Sequence, residues 1–249
     1  MAKHAWPAWL SCMASGSLLL RKSSQPTRHM HSMWYPQAMQ CNAALPHPEL
    51  FFWTHHWIHC LPAVTHWHGD HTGCLQQVVE GFPDAAVGMH ELDAPYIVGG
   101  ADARALKGDS LGNLALRHML TLPNSTAYPE SKALLLKGSA GDVADLFPYS
   151  SWLSRGRLEF RHLPGHTLGQ VAFVHRPSSS VLAADSVVNI NALSRHPYLA
   201  WPVPGSSLNL SATGASIKTL ADIDAQRFFP SHDNATGVTG KQLKLFAMA

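Results

Sequence analysis

One short segment, residues 65–73, constrains this 249-residue chain more than any other part of its sequence. It holds four potential metal ligands within six positions, namely His66, His68, Asp70 and His71. An apolar run at residues 61–64 precedes it, which predicts that a buried strand leads into the loop. Side chains two apart in an extended backbone point the same way, so the first two histidines can grip one ion while the loop turns the other two ligands toward a second. Gly69 and Gly73 permit the tight backbone that this requires.

Histidine is so abundant in this chain, at 17 residues, that the pattern H-x-H-x-D-H needs support from elsewhere. Three further candidate ligands supply it. His166 lies in a Pro-Gly turn ahead of a predicted strand, Asp185 ends an apolar run, and His232 follows another. Loops at strand ends are where a rigid scaffold presents functional groups. We therefore expect all seven side chains to converge on one edge of the fold.

The coarse order of elements follows from apolar periodicity and turn residues. Strands are predicted at residues 61–64, 85–89, 158–163, 171–175, 181–184 and 227–230, and helices at residues 74–81, 111–120, 211–220 and 239–248. The three strands between residues 158 and 184 are separated by short proline-containing turns, which predicts an antiparallel meander. Residues 91–151 are irregular, and we interpret them as an inserted cover over the site.

Composition limits the classes of partner. A formal net charge of +2 and a charged fraction of 14% leave no basic patch for a phosphate backbone, so nucleic acid is not expected as a partner. No apolar run reaches the roughly 18 residues that span a bilayer, so no membrane partner is expected either. The four cysteines form no C-x-x-C pair, which argues against a disulfide framework or a thiolate zinc site. We therefore expect the partner to be a small-molecule substrate. The composition does not predict the oligomeric state.

The N-terminal 48 residues differ in composition from the rest. This segment contains no Asp or Glu before Glu49, but it does contain the basic residues Arg21, Lys22 and Arg28. This is typical of a transit peptide, which would place the protein in a plastid or mitochondrion; a poorly ordered extension or translated non-coding sequence explains it equally well, and the cytoplasm is then expected. We accordingly divide the chain into a transit-like or poorly ordered segment at residues 1–48 and a domain at residues 49–249 that carries all seven candidate ligands.

At the seven ligands the chain resembles the metallo-β-lactamase-fold zinc hydrolases, which include glyoxalase II, from about residue 61 to the C-terminus. The resemblance implies an α/β (α+β) fold, a four-layer αββα sandwich with the site at one edge. It also implies how the ligands divide: His66, His68 and His166 on one metal, Asp70, His71 and His232 on the other, and Asp185 bridging the two.

The implied cofactors are two Zn²⁺ ions, with Fe or Mn as alternatives because N/O sites select metals partly by supply. Two such ions share a water whose pKa falls from about 15.7 to about 7. The resulting hydroxide would attack a small ester, thioester or lactone without a Ser or Cys nucleophile. Asp70 is the expected catalytic residue, because a carboxylate beside the hydroxide can orient it and carry a proton to the leaving group.

Residue identities demote some branches of this family. Position 68 is His where the oxygen-reducing diiron members have Glu, and position 185 is Asp where the best-known di-zinc β-lactamases have Cys. Glyoxalase II shares all seven ligands but adds a helical C-terminal domain, and only 17 residues follow His232 here. Hydrolysis of a glutathione thioester is therefore an alternative that no sequence feature specifically favours.

Two other functions stay open. One is a mononuclear iron persulfide dioxygenase of the same fold, which would use a subset of these ligands. The other is a degenerate member in which metal is only a structural cross-link.

The sequence also departs from the family pattern. No Asp-Thr-Gly turn precedes the H-x-H segment, which leaves open that the N-terminal strands are incomplete. Ala184 and Ser231 stand where glycine is usual, and we expect both to be tolerated because they are small. Trp67 is expected to pack in the core or line a pocket. The other histidines considered, which match no family ligand, are expected to be ordinary core or surface groups: His55, His56, His59, His90, His118, His162, His175 and His196.

Overall fold

A computed structural model describes residues 63–73, 75, 86–102, 106, 130–146, 156–191, 194, 196–233 and 237–249. The predicted N-terminal extension, the helix at residues 111–120 and nearly all of the helix at residues 74–81 lie outside these residues. The same holds for the region upstream of the H-x-H segment, so the proposed domain division and the completeness of the first strands stay predictions.

The described residues form strands and short helices in a mixed α/β order. The strands are β1 (Val87–His90), β2 (Ala133–Leu136), β3 (Ala140–Asp142), β4 (Leu158–His162), β5 (Val171–His175), β6 (Ser180–Ala184), β7 (Val188–Asn189), β8 (Leu199–Ala200), β9 (Arg227–Pro230) and β10 (Val238–Thr239). The helices are α1 (Gly69–Thr72), α2 (Ala94–Ile97), α3 (Leu210–Ala221) and α4 (Gly240–Met248). Short 3₁₀ turns occupy Glu130–Lys132, Val143–Leu146, Arg176–Ser178 and Pro204–Ser206.

The larger sheet has the strand order β10-β9-β6-β5-β4-β3. Strands β3 to β6 are antiparallel neighbours in sequence order, which confirms the predicted meander. Strand β9 then pairs parallel to β6. Parallel pairing beside β6 brings the carboxyl ends of two strands to one edge, and these ends precede Asp185 and His232.

Three apolar clusters separate four layers. One cluster lies between the β1–β2 pair and the larger sheet and includes Leu136 and Phe173. A second packs the other face of the larger sheet against α3 and α4. A third joins β1 to α2, with Met89 and Ile97 among its members. The order is helix, sheet, sheet, helix, so the fold is the expected αββα sandwich.

Strand β5 shows how the sequence produces this layering. Val171 and Phe173 belong to the cluster between the sheets, whereas Ala172 and Val174 belong to the cluster beneath the helices. Successive side chains on a strand point to opposite faces, and here both faces are covered. The strand is therefore apolar at every one of these positions instead of alternating.

Two helices match their predicted positions closely. Helix α3 begins one residue earlier than predicted and buries Ile217 and Leu220, the two expected core positions. Its N-cap is Asn209, whose side chain accepts a hydrogen bond from Ala212 N. Helix α4 begins at a capping box between Thr239 and Gln242. Among the described residues, no helix combines the length and apolarity that a bilayer crossing requires.

The interpretation of residues 91–151 as an irregular cover is wrong for residues 133–142. Strand β2 pairs in parallel with β1, and β3 forms the edge of the larger sheet against β4. These strands have four and three residues, too few to show an alternating pattern. Residues 107–129 of this segment lie outside the described residues, so their interpretation as a cover stays a prediction.

Candidate metal centre

The structure brings all seven predicted site residues together. Their potential ligand atoms form two groups, and within each group these atoms lie within 4.8 Å of one another. The groups are His66, His68 and His166, and Asp70, His71, Asp185 and His232. This convergence comes from four separate stretches of chain, so it reflects the fold and not the His-rich segment alone.

The loop that carries four of these residues is fixed by its own backbone. Val64 N donates to Gly88 O at 2.8 Å, which anchors the loop beside β1. The carbonyl of His68 then accepts from the backbone of His71 and Thr72, both at 3.0 Å, and starts α1. A Cβ at Gly73 would lie 2.7 Å from the carbonyl oxygen of Gly69, so the glycine expected for a tight backbone is required there.

The first group consists of three buried imidazoles. His68 Nδ1 lies 3.1 Å from His66 Nε2 and 3.0 Å from His166 Nε2. Each of the three residues is at most 2% exposed. Burial, and then the neighbouring histidines His71 and His166, hold the pKa of His66 and of His68 well below the usual value. Both rings are therefore neutral, which is the form that ligates a metal.

The second group contains both carboxylates. Asp70 Oδ2 lies 3.3 Å from His232 Nε2 and 3.6 Å from His71 Nε2. Burial alone would raise the pKa of Asp70, but the hydrogen bond from His232 and the charge of His71 outweigh it, and the pKa is lowered. The Asp185 and Asp70 carboxylates raise the pKa of His232 to about 11.

Asp185 faces both groups. Its Oδ2 lies 3.4 Å from His166 Nε2 and 3.9 Å from His66 Nε2 in the first group, and 3.2 Å from His232 Nε2 in the second. Burial would raise its pKa, but His71 and His232 hold the pKa well below the usual value. A buried, ionised carboxylate placed in this way can bridge two cations.

Two carboxylate oxygens at the centre have no hydrogen-bond partner, as expected of metal ligands. Oδ1 of Asp70 and Oδ1 of Asp185 are buried and accept no hydrogen bond from the described residues. Burying carboxylate oxygens without compensation is costly, and bound cations would remove that cost. Imidazole and carboxylate ligands together suit a divalent transition metal. The residues present therefore fit a binuclear site.

Two hydroxyls orient the histidine rings, and sequence reasoning assigned neither. Thr65 Oγ1 lies 3.2 Å from His66 Nδ1 and 3.3 Å from His71 Nδ1. Ser207 Oγ lies 3.1 Å from His166 Nδ1. Holding Nδ1 in this way leaves Nε2 for the metal. Thr65 could have been identified from the sequence, because it directly precedes the ligand His66. Ser207 could not, because it lies 41 positions from His166 and no sequence pattern links the two.

Asp93 is a further polar residue that sequence reasoning missed. It is 1% exposed, and its carboxylate accepts hydrogen bonds from Trp67 N, Thr167 Oγ1 and Gly169 N. Burial raises its pKa to about 6, against the lowering effect of these bonds. In the sequence it precedes Ala94 and a proline, so it looks like an ordinary helix N-cap.

Two of the other described histidines, His90 and His162, take the ordinary structural roles expected of them. His90 and His162 stack with centroids 4.0 Å apart, and their Nε2 atoms reach the carbonyls of Gly138 and Leu168 at 3.1 and 2.8 Å. Burial lowers the pKa of His90. Trp67 is 4% exposed in the core, also as expected. The other histidines considered that lie outside the described residues are His55, His56, His59 and His118.

The backbone at Ala184 explains why glycine is usual there. Ala184 has φ +51°, in the left-handed region that favours glycine, and its carbonyl accepts from Ser231 N at 3.1 Å. The alanine adopts a strained conformation directly before Asp185, and the expectation that it is tolerated stays a prediction. Ser231 has no such conformation, since Ser179 and Ala184 are the positive-φ non-glycine residues of the described chain.

Fold and site together define an αββα protein with a candidate binuclear metal centre at one edge of its sheets. The sequence profile of the metallo-beta-lactamase superfamily matches residues 63–232, which is more than half of the chain, so the chain belongs to that superfamily. No curated protein matches it significantly.

The chain is also similar to several solved structures. TTHA1623, crystallised in a di-iron-bound form, is 25% identical, with 72% of this chain and 71% of that one covered and a TM-score of 0.44. ST1585 from the archaeon Sulfolobus tokodaii is 16% identical over 75% of this chain and 65% of that one, with a TM-score of 0.49. AidC, a dizinc quorum-quenching lactonase, is 19% identical over 70% and 57%, with a TM-score of 0.46. The chain thus spans well under the full length of these proteins.

Proposed function

We propose that this protein is a metal-dependent hydrolase that uses two Zn²⁺ ions, or Fe or Mn in their place, to cleave a small ester, thioester or lactone. The observation that carries the proposal is the Asp185 carboxylate, whose Oδ2 lies within 3.4 Å of a histidine from each ligand group. A single-metal site would not need a buried carboxylate between two complete sets of ligands.

The ligand roles follow from the two groups. His66, His68 and His166 would hold one ion, Asp70, His71 and His232 the other, and Asp185 would bridge them. When bound, such cations act as Lewis acids that activate water and polarise a carbonyl oxygen. The protein's own part is to hold these side chains in place and to manage the proton.

Asp70 is the residue placed to manage that proton. Its side chain is 31% exposed, and its buried Oδ1 has no partner among the described residues. The lowered pKa keeps the carboxylate ionised, so it can accept a hydrogen bond from a reacting water and then carry the proton to the leaving group. His232, whose side chain is 42% exposed, lies beside it, so the substrate would approach at this second group.

Elemental analysis and a substrate panel test the proposal together. Purified protein should hold close to two metal ions per chain and turn over one class in a panel of thioesters, lactones and phosphodiesters. Chelation should abolish turnover, and added Zn²⁺ should restore it. Full activity after exhaustive chelation would overturn the proposal. Iron alone, with oxygen uptake on glutathione persulfide, would favour the dioxygenase instead.

A paired substitution tests the role of Asp70. Asp70→Asn should lower kcat and change KM little, because the amide cannot take up the proton of the reacting water. We expect this variant to retain its metal. Asp222→Asn, at an exposed position at the end of α3, is the matched control and should change neither. If the first variant loses metal instead, metal loss alone explains the lower turnover, and the proposed role of Asp70 in proton transfer loses its support.

A further inference from the structure

One buried carboxylate outside the seven ligands connects the two loops that carry the first group. Asp93 Oδ2 accepts from Trp67 N at 3.2 Å and from Thr167 Oγ1 at 2.6 Å, and its Oδ1 accepts from Gly169 N at 2.6 Å. Trp67 lies between His66 and His68, and Thr167 directly follows His166. A single side chain thus joins ligand-bearing segments that lie about one hundred residues apart in the chain.

The side chain of Asp93 is directed to these loops and not to its own helix. Asp93 occupies the N-cap position of α2, yet it makes no capping hydrogen bond. Asp at this position normally accepts from the first turn of the helix and stabilises it. Here the carboxylate instead takes donors from two other segments.

The second loop is shaped to reach Asp93. A Cβ at Gly169 would lie 2.6 Å from Asp93 N and 2.9 Å from its Cβ, so only glycine allows this approach. A separate backbone link, Val171 N to Thr65 O at 2.9 Å, joins the same two segments without Asp93. The fold therefore has its own connection here, and the carboxylate adds a constraint nearer to the ligands.

We propose that Asp93 is a positioning residue that sets the register between the His66–His68 loop and the His166 turn, and so sets the affinity of the three-histidine group for its metal. The inference rests on the proposed metal-dependent function. Outer partners that orient ligands typically change metal affinity by roughly 10–100-fold when they are removed. Asp93 acts one step further out, through the backbone on either side of the ligands.

Titration with Co²⁺, followed by its visible absorption, tests the proposal on the full chain. Asp93→Asn keeps the size of the side chain but presents an amide to donors, so it should weaken binding of the first ion by roughly tenfold or more and alter the ligand-field bands. Thr167→Val removes one of the three hydrogen bonds and should give a smaller loss. Thr167→Ser keeps the hydroxyl and should restore affinity to that of the parent.

A core variant separates positioning from loss of stability. Leu158→Ala truncates a buried side chain at the far end of β4, in the cluster between the sheets. It should lower the melting temperature and leave Co²⁺ affinity and spectrum unchanged. Affinity losses in Leu158→Ala as large as those in Asp93→Asn would overturn the inference, and so would parent-like binding in Asp93→Asn.

The outcomes also distinguish the inference from the proposed function. A parent protein that binds no Co²⁺ overturns both. A parent that binds two ions while Asp93→Asn matches it overturns the inference alone. If Asp93→Asn does not fold, the two Thr167 variants decide: equal affinity in Val and Ser variants contradicts a positioning role, and loss with Val restored by Ser supports it.

Discussion

The two ligand groups lie side by side but differ in composition and in access to solvent. The first has three imidazoles, each at most 2% exposed. The second adds two carboxylates, and the side chains of Asp70 and His232 are 31% and 42% exposed. A metal in the first group would be enclosed by protein, whereas a metal in the second would face the solvent. This difference supports our proposal that the first group mainly holds its metal and that the second group faces the substrate.

Two residues nevertheless couple the groups. Asp185 faces both through one carboxylate, and Thr65 Oγ1 lies near a histidine of each. A substitution at either residue should affect both metals, whereas a substitution confined to one group should not. Substitutions at shared residues and at residues of a single group therefore test whether the two groups bind their metals separately.

Asp185→Asn should have the largest effect. The amide keeps the volume but removes the charge that both groups share, so both metals should bind weakly. Turnover should fall by roughly 10³-fold or more, because Lewis-acid activation is worth several kcal/mol. Elemental analysis and kcat/KM measure the two effects, with Asp222→Asn as the control. Retention of two metals with parental turnover would show that the groups are independent.

The next largest effect should separate the groups. His68→Ala leaves an enclosed site where water cannot easily replace the lost nitrogen, whereas His232→Ala leaves an open position that water can fill. We expect the first variant to lose metal affinity by more than the second, which should keep close to one tightly bound ion. Isothermal titration with Zn²⁺ measures both. The opposite order would mean that exposure does not determine how each group holds its metal.

The hydroxyl partners should have intermediate effects of roughly 10–100-fold on metal affinity. Ser207→Ala should weaken chiefly the first ion, because Ser207 Oγ lies 3.1 Å from Nδ1 of His166 in the first ligand group. Thr65→Val should weaken both ions, because Thr65 Oγ1 lies near His66 and His71. Stepwise Zn²⁺ titrations of the two variants distinguish these patterns. Equal effects on both ions in both variants would contradict the separation.

The parts of this centre that could be predicted from sequence are those with a local signal. The H-x-H-x-D-H loop is contiguous, and Asp185 and His232 directly follow the apolar strands β6 and β9, so their convergence needed only the topology of the fold. Strand β9 was predicted at its observed bounds, Arg227–Pro230, because a short apolar run was followed by a turn.

The parts that could not be predicted depend on contacts distant in the chain. Ser207 meets His166 across 41 positions, and Asp93 meets Thr167 across 74. Neither pairing leaves a local pattern, and an Asp before a short helix is already explained as a cap. Strands β2 and β3 were missed for a different reason, since their identity comes from their pairing partners and not from their own few residues.

The smallest effect should come from Ala184→Gly, at the residue that directs Asp185 between the groups. The left-handed conformation at φ +51° costs an L-residue about 1–2 kcal/mol, and glycine loses about 0.5–1 kcal/mol in backbone entropy, so the variant should be more stable by up to about 1.5 kcal/mol. Ala183→Gly, one position earlier in β6 and without a positive φ, is the matched control and should be less stable than the parent. Urea unfolding of the metal-free proteins measures both changes. Because Asp185 serves both groups, any change in metal affinity in Ala184→Gly should appear in the two ions together; equal destabilisation by the two glycines would show that the backbone at Ala184 is not strained.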